Sequence, residues 1–569
     1  MRRQLAVVAW AVLLCGVARG TAQEATHTPV SVVEDWSTRQ VVFSEDVPRE
    51  LWRKVLADSR FWQQYYRRHA NFRVCPQPEG GRAEFFCPPH PSHGSGLQRL
   101  GAAERDWSVS LGTGSGGPIS EPAKFTYDVT ATPSCTADYV VTGINVAGAS
   151  GTQANIIGFN NLYVNSGGTG FCSGTAPIVI FSYYVGTGTV PSSAVVSLNG
   201  AKVAFIENIS ATSSKLHILT FKTGTGNGTS ASAPAAPGSG NTAVDTQVPF
   251  NYSCSTAPFV DYDDDVAYVA TNGTASIIHK VTGVFQGTPT EVTTNGWPAT
   301  ISGNPSISTP VFDFTSKHVI VEDATGHLGY VDDSVSPAVT HSATLLIASN
   351  GINATPVVID SSRNLVYAFA NNPNGTNALV AQTNASLSST LATVNVGTGM
   401  SAVMRQVDFN NTYYTTSTFG SAFMYVVGND NSTAQLPALY NVGFSNSSFT
   451  LKTTTANGPL ALATGTTAGL FASPLTEFYN SKLATPTDFL FVGVSGSCST
   501  SITGGCIRSL NITSAFPTTA NVNSVILAAT GGTGRASVDN YSTSTGASSI
   551  YYTTQTGNTI VKATQSGLQ

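Results

Sequence analysis

The chain runs to 569 residues, more than one compact hydrophobic core supports unless the fold is an array of repeats. Only 10% of residues are charged, against about 25% in an average globular protein, and the formal net charge is −5. Residues 121–569 hold just 13 of the 27 Lys and Arg, which leaves no basic stripe for nucleic acid and suits an exported β-protein better than a cytosolic helical enzyme.

Arg2 and Arg3 precede the apolar run Leu5–Val17, and small residues follow in "GVARGTAQ". This pattern predicts a secretory signal peptide over residues 1–22, cleaved after Gly20 or Ala22. Cys15 follows Leu14 rather than a small residue, which argues against a lipid anchor. No later run reaches about eighteen uninterrupted apolar residues, so no membrane span is expected.

Residues 23–100 read as an N-terminal docking segment. Asp46 is placed to cap a first short helix, with Pro48 in its first turn and Leu51, Trp52, Val55 and Leu56 on one face. Asp58 is placed to cap a second, with Phe61, Trp62, Tyr65 and Tyr66 spaced alike, and these aromatics read as packing. "DWS" occurs at Asp35–Ser37 and again at Asp106–Ser108. Both copies read as small turns, the Trp packed and the Asp accepting backbone hydrogens. The second lies in residues 101–122, read as a Gly/Ser-rich linker.

Seven cysteines remain after the signal peptide. In an oxidising compartment those close in sequence pair. The expected disulfides are Cys75 with Cys87, Cys135 with Cys172, and Cys498 with Cys506, leaving Cys254 over.

From residue 123 onward one pattern recurs: apolar strand, polar turn with Asp or Asn, second apolar strand, further turn, third strand. Units start at Ala194, Pro258, Pro310, Pro356, Arg405, Ser473 and Arg535. The matched turn residues Asn199, Asp261, Asp313, Asp360, Asp408 and Asp539 are spaced by 62, 52, 47, 48 and 131, the last gap containing the Ser473 unit. Strands this short and apolar on both sides need covered faces, which radial blades supply. The expected fold is all-β: a seven-bladed β-propeller over 123–569, preceded by a small helical segment. Residues 139–186 would make an eighth or ring-closing partial blade.

The unit Gly296–Asp332, "GWPATISGNPSISTPVFDFTSKHVIVEDATGHLGYVD", resembles one repeat of the PQQ-like and YVTN-type propeller superfamily, and "AYVATN" at Ala267–Asn272 resembles a YVTN element. The whole mature chain resembles uncharacterised secreted bacterial propeller proteins. The resemblance implies fold and location. A quinone cofactor is its first further implication, but no adjacent cysteines or ligand set can be placed, so no cofactor is expected.

Other chemistry is weakly marked. "CPPHPSHGSG" from Cys87 offers His90 and His93, which with Cys75 and Cys87 would suit zinc, but a disulfide explains the cysteines better. "DYDDD", Asp261–Asp265, lacks the Gly and distal Glu of a calcium loop and reads as a turn, so no metal is expected. No G-x-S-x-G or Walker motif occurs. His217, His279, His318, His327 and His341 read as blade-surface residues near strand ends. The leading expectation is a secreted, monomeric, non-enzymatic propeller that binds a protein or glycan partner. The alternatives are a polysaccharide hydrolase or lyase acting in the propeller funnel, and a structural envelope protein.

Overall fold

Eight sheets follow one another along the chain: the first seven each have four consecutive strands paired antiparallel, and the eighth has three, completed by a strand from the N-terminal part of the chain. The computed structural model describes residues 29–44, 51–68 and 104–564, apart from residues 118, 274, 303–305, 342–354, 372–376, 399–403, 417, 482, 484, 520–525 and 543. The inner strands of blades 1 to 8 are Ala123–Thr126, Val195–Val196, Phe259–Asp261, Val311–Asp313, Val358–Asp360, Asp408–Phe409, Thr476–Asn480 and Ser537–Asp539. The last inner strand packs against the first, closing the ring.

The protein is therefore an eight-bladed β-propeller, which corrects the expected seven. The seven units starting at Ala194 to Arg535 are blades 2 to 8. Residues 139–186 become a complete blade 1 once Ala123–Thr126 is added. That inner strand reads "AKFT" and carries no turn acid, so the repeat pattern passed over it.

Burial explains why these strands lack alternation. Leu365–Ala370 in blade 5 and Thr487–Val494 in blade 7 are buried at every position, because neighbouring blades cover both faces. The core is thus a set of apolar layers between blades rather than one central mass.

The axis is filled by the N-terminal segment. Strand β1 (Val32–Glu34) pairs antiparallel with the inner strand of blade 1. Helix α1 (Trp36–Gln40) follows, and β2 (Val41–Val42) pairs parallel with the inner strand of blade 5. Blades 1 and 5 lie opposite each other in a ring of eight, so β1–α1–β2 crosses the axis. Every residue from 32 to 44 is buried. Helices α2 (Trp52–Ala57) and α3 (Ser59–Arg68) complete this plug. The expectation of a helical segment placed ahead of the propeller gives way here to strands and helices built into it. Asp58 accepts from the Arg60 amide at 2.8 Å at the start of α3. Asp46 and Pro48 lie outside the described residues.

The ring closes with β3 (Glu104–Ser110), the outermost strand of blade 8, antiparallel to Thr559–Thr564. This corrects the linker assigned to 101–122. The second Asp-Trp-Ser is part of that strand and not a turn. Asp106 accepts from Thr564 Oγ1 at 2.6 Å and pairs with Lys562 Nζ at 2.7 Å. Trp107 is buried and donates to Leu162 O at 3.2 Å.

Among the described residues there are two disulfides, Cys135–Cys172 in blade 1 and Cys498–Cys506 in blade 7, with Cα separations of 5.8 and 6.2 Å. Cys254 is a buried free thiol, and burial pushes its pKa up to about 11, which makes it a poor nucleophile. Cys75, Cys87, His90, His93 and residues 1–22, expected to be a signal peptide, lie outside the described residues.

Candidate functional site

Loops from all blades meet at a propeller's axis, so chemistry in this fold gathers at the two ends of the channel. At one end, each inner strand turns into the second strand of its blade. At the other, the chain leads into each inner strand.

The turn end is closed by the plug. Asp35 caps α1, accepting from the Ser37 and Thr38 amides at 3.0 and 3.4 Å, and also accepts from Val196 N of blade 2 at 3.3 Å. Trp36 donates from Nε1 to Pro258 O of blade 3 at 3.2 Å and meets Phe259 edge-on. Ser44 donates its amide to Ser362 Oγ of blade 5. Arg68 makes a two-pronged pair with Glu477 of blade 7 at 2.9 and 2.7 Å, and its guanidinium lies 3.4 Å above the Tyr414 ring of blade 6. Tyr541 of blade 8 donates to Glu34 at 3.0 Å.

The same contacts account for most turn acids of the repeat. Asp313 accepts from Ser361 Oγ of the next blade at 2.7 Å, Asp360 from Tyr413 Oη at 2.7 Å, and Asp539 pairs with Lys124 at 3.0 Å. They tie blade to blade. Asp408 does not belong with them. It lies two residues after Gln406, whereas Asp313, Asp360 and Asp539 lie four after Thr309, Pro356 and Arg535, and Asn410 takes the turn position in blade 6.

Charge is concentrated where plug and ring meet. Arg39 sits 3.2 Å from Glu34 and 3.6 Å from Glu121, and all three side chains are essentially buried. Neither contact has hydrogen-bond alignment, and Arg39 Nε, Nη1 and Nη2 lack partners, as do both Glu121 oxygens. Burial pushes the Glu121 carboxyl up to about 8 against the pull of Arg535. Burial likewise raises Glu34 and takes Asp35 to about 6. Buried charges left this poorly matched are the costly ones in the molecule.

At the lead-in end, a shallow cup remains open. Ile119, Ser192, Ser193, Ala257, Thr309, Pro356, Gln406, Pro474 and Arg535 form its wall, and Trp36 and Gln40 of α1 form its floor. Blades 2 to 8 each place there the residue two positions before the inner strand. The space is about 290 Å³ with the open mouth included. With the Gln40 amide nitrogen donating to Val357 O at 3.0 Å, its oxygen accepts from Arg535 Nη1 at 3.1 Å.

The other residues singled out from the sequence lie away from this cup. His217 and His279 sit within strands and are buried, which corrects their reading as surface histidines. His217 lies between Asp245 at 2.9 Å and Glu207 at 3.2 Å. Burial works against its protonation, but the hydrogen bonds it donates to Asp245 and Glu207 outweigh it and raise the pKa. His279 contacts Glu291 at 2.6 Å and Thr271 Oγ1 at 2.9 Å. His318, Tyr330 and His341 stack on blade 4.

In "DYDDD", Asp265 accepts from the Phe285 and Gln286 amides, Asp264 pairs with Lys317, and Asp263 is taken to about 6 by burial and by Asp58. Among the described residues no group of three or more His, Cys, Asp or Glu is arranged to hold a metal. No helix among them is long and apolar enough to cross a membrane.

No family model matches this chain, and no curated protein matches it. Solved structures similar to it include BamB from Moraxella catarrhalis, at 15% identity over 82% of this chain and all of that one, TM-score 0.41. Sqt1 from Chaetomium thermophilum is 10% identical over 81% of this chain and all of its own, TM-score 0.43. The Dos1 propeller is 10% identical over 81% and 95%, TM-score 0.41. The likeness is one of fold.

Proposed function

We propose that this protein is a non-enzymatic binding propeller, exported from the cell, that takes a protein or glycan partner on the lead-in end of the ring. One observation carries the reading. The funnel is filled from the turn end by residues 32–44, and among the described residues that line the open cup there is no Asp, Glu, His or Cys. Glycoside hydrolysis in the funnel calls for a pair of carboxylates facing the substrate, and acid–base catalysis calls for at least one titratable group there. Hydroxyls, amides, one guanidinium and a tryptophan suit recognition instead. The two disulfides favour an oxidising compartment and hence export, with residues 1–22 removed. Membership of the PQQ-like and YVTN-type superfamily belongs to the same proposal and rests on Gly296–Asp332 and Ala267–Asn272.

The test is a glycan and peptide screen on the full-length oxidised protein beside Ala257→Phe, which fills the cup from blade 3. A partner that binds the native protein and loses affinity for the folded variant supports the reading. Turnover of a polysaccharide that Ala257→Phe abolishes replaces it with the enzymatic one.

A further inference from the structure

We propose that the axial cup recognises a carboxylate group, held by Arg535 with Gln406 and Thr309 over the face of α1. The proposal rests on the binding reading above and names the chemistry the same site selects.

Arg535 is only 2% exposed, yet it lines the cup. Its carboxylate neighbours stand off, Asp408 at 3.8 Å and Glu121 at 3.9 Å, and its Nε has no hydrogen-bond partner. Asp408 is satisfied elsewhere. Its Oδ1 accepts from Tyr414 Oη and Phe409 N, and its Oδ2 from Glu477 N, at 2.8, 2.9 and 2.8 Å. Burial pushes the Glu121 carboxyl up to about 8, which weakens it as a counter-charge to the guanidinium 3.9 Å away.

Two further polar groups face the same space. The Gln406 amide and the Thr309 hydroxyl line the cup, and neither side chain hydrogen-bonds to another described residue. Ser192 and Ser193, by contrast, are committed to Thr256 O and Ile119 O. The rest of the wall is Ile119, Ala257, Pro356 and Pro474.

Arg535 Nη1 donates to the Gln40 oxygen, but Nε has no acceptor, and a buried guanidinium left partly unmatched is costly. A carboxylate lowers that cost, because its oxygens can accept from the remaining guanidinium hydrogens, the Gln406 amide and the Thr309 hydroxyl, and its charge balances the site. A neutral carbonyl supplies one acceptor and no charge. The cup is shallow and open, far smaller than an enclosed ligand pocket, so it can seat the tip of one small group and not a chain of sugar rings. That group is either the acidic side chain or chain end of a protein partner, or a small free acid.

The experiment titrates full-length protein at low ionic strength with acetate, with acetyl-trialanine bearing a free C-terminus, and with the same peptide amidated. Binding is read by saturation-transfer NMR and tryptophan fluorescence. At least one carboxylate probe is expected to bind, with the amidated peptide and Arg535→Gln each weaker by about tenfold or more. Because Arg535 is part of a buried network, Gln406→Leu is the second variant; it removes a donor without removing charge and should weaken binding severalfold. A peptide that binds more tightly than acetate identifies a protein partner, and equal affinities identify a small acid. Absence of binding by both carboxylates, equal binding of the amidated peptide, or unchanged affinity in both variants overturns the proposal. A screened partner that Ala257→Phe still displaces would in that event leave the wider binding reading standing.

Discussion

Arg68→Ala tests whether the plug is part of the core or merely lies on it. Arg68 and Glu477 are 5% and 0% exposed and share two hydrogen bonds at 2.9 and 2.7 Å. Arg68 Nη1 also reaches Asn411 Oδ1 at 2.9 Å, and the guanidinium stacks on Tyr414. Removing one member of such a pair strands the other as a buried charge, at a cost of about 3–5 kcal/mol. Burial, then the nearby Glu477, holds the neighbouring Asp488 carboxyl well above the usual range. Arg68→Lys keeps the charge but loses the fork and the stacking, and should recover less than half of the loss. The paired replacement Arg68→Met with Glu477→Leu should come close to the native stability. The assay is urea unfolding followed by tryptophan fluorescence, with hydrogen exchange of the α3 amides as the local readout. A loss below about 1 kcal/mol, the range of exposed ion pairs, would refute the reading of the plug as core.

Three further outcomes follow from the same geometry. Asp106→Ala leaves Lys562 buried without its partner and should cost about 3–5 kcal/mol, whereas Asp106→Leu with Lys562→Met should be close to neutral; a small single-mutant effect in urea would argue against β3 as the ring closure. Loop entropy predicts about 2.5 kcal/mol for removing Cys498–Cys506, eight residues apart, and about 4 kcal/mol for Cys135–Cys172, 37 apart, so the reverse order in paired Cys→Ala variants would contradict it. His217 is raised by folding, so its contribution is whole below about pH 6.5 and is lost as pH rises through its folded value; Glu207 is lowered, chiefly by the His217 hydrogen bond acting against burial, so its contribution is whole above about pH 4.3 and is lost as pH falls. Unfolding midpoints should therefore gain a component between about pH 4.5 and 6.5 that His217→Phe removes, and identical pH profiles would rule it out.

The repeat was legible because its signal is local. Phe259–Asp261, Val311–Asp313, Val358–Asp360 and Ser537–Asp539 each end on a turn acid within a few residues of a second apolar strand. The period failed where the acid was missing, at Ala123–Thr126, and slipped by two at Asp408. The plug was not legible, because its evidence is spread across the chain. "VVEDWSTRQVVF" reads as a docking segment with a small turn at Asp35–Ser37, and its place in the axis shows only when Arg39 meets Glu121 and, further on, Arg68 meets Glu477, a partner 409 residues away. The cup has a strict position, two residues before each inner strand, but no common residue type. Ser193, Ala257, Thr309, Pro356, Gln406, Pro474 and Arg535 share geometry alone, and composition cannot find such a ring.

Blade number and plug are two sides of one requirement. Each added blade widens the ring of inner strands, and inner strands of two to five residues cannot fill an eight-membered axis with side chains alone. An open channel would leave the axis-facing edges of Ala123–Thr126 and Val358–Asp360 unpaired, and β1 and β2 supply their missing partners. The strands approach from opposite sides, so a short helix must join them across the centre, and Asp35 starts that helix by capping its first turn. The helix is only five residues long and cannot reach both ends of the channel. It seals the turn end, where α2 and α3 add cover, and stops short of the other. The cup is what remains of the axis, so its floor comes from the N-terminal segment and its wall from the ring. A ligand there would touch both, and its binding would depend on the plug being seated.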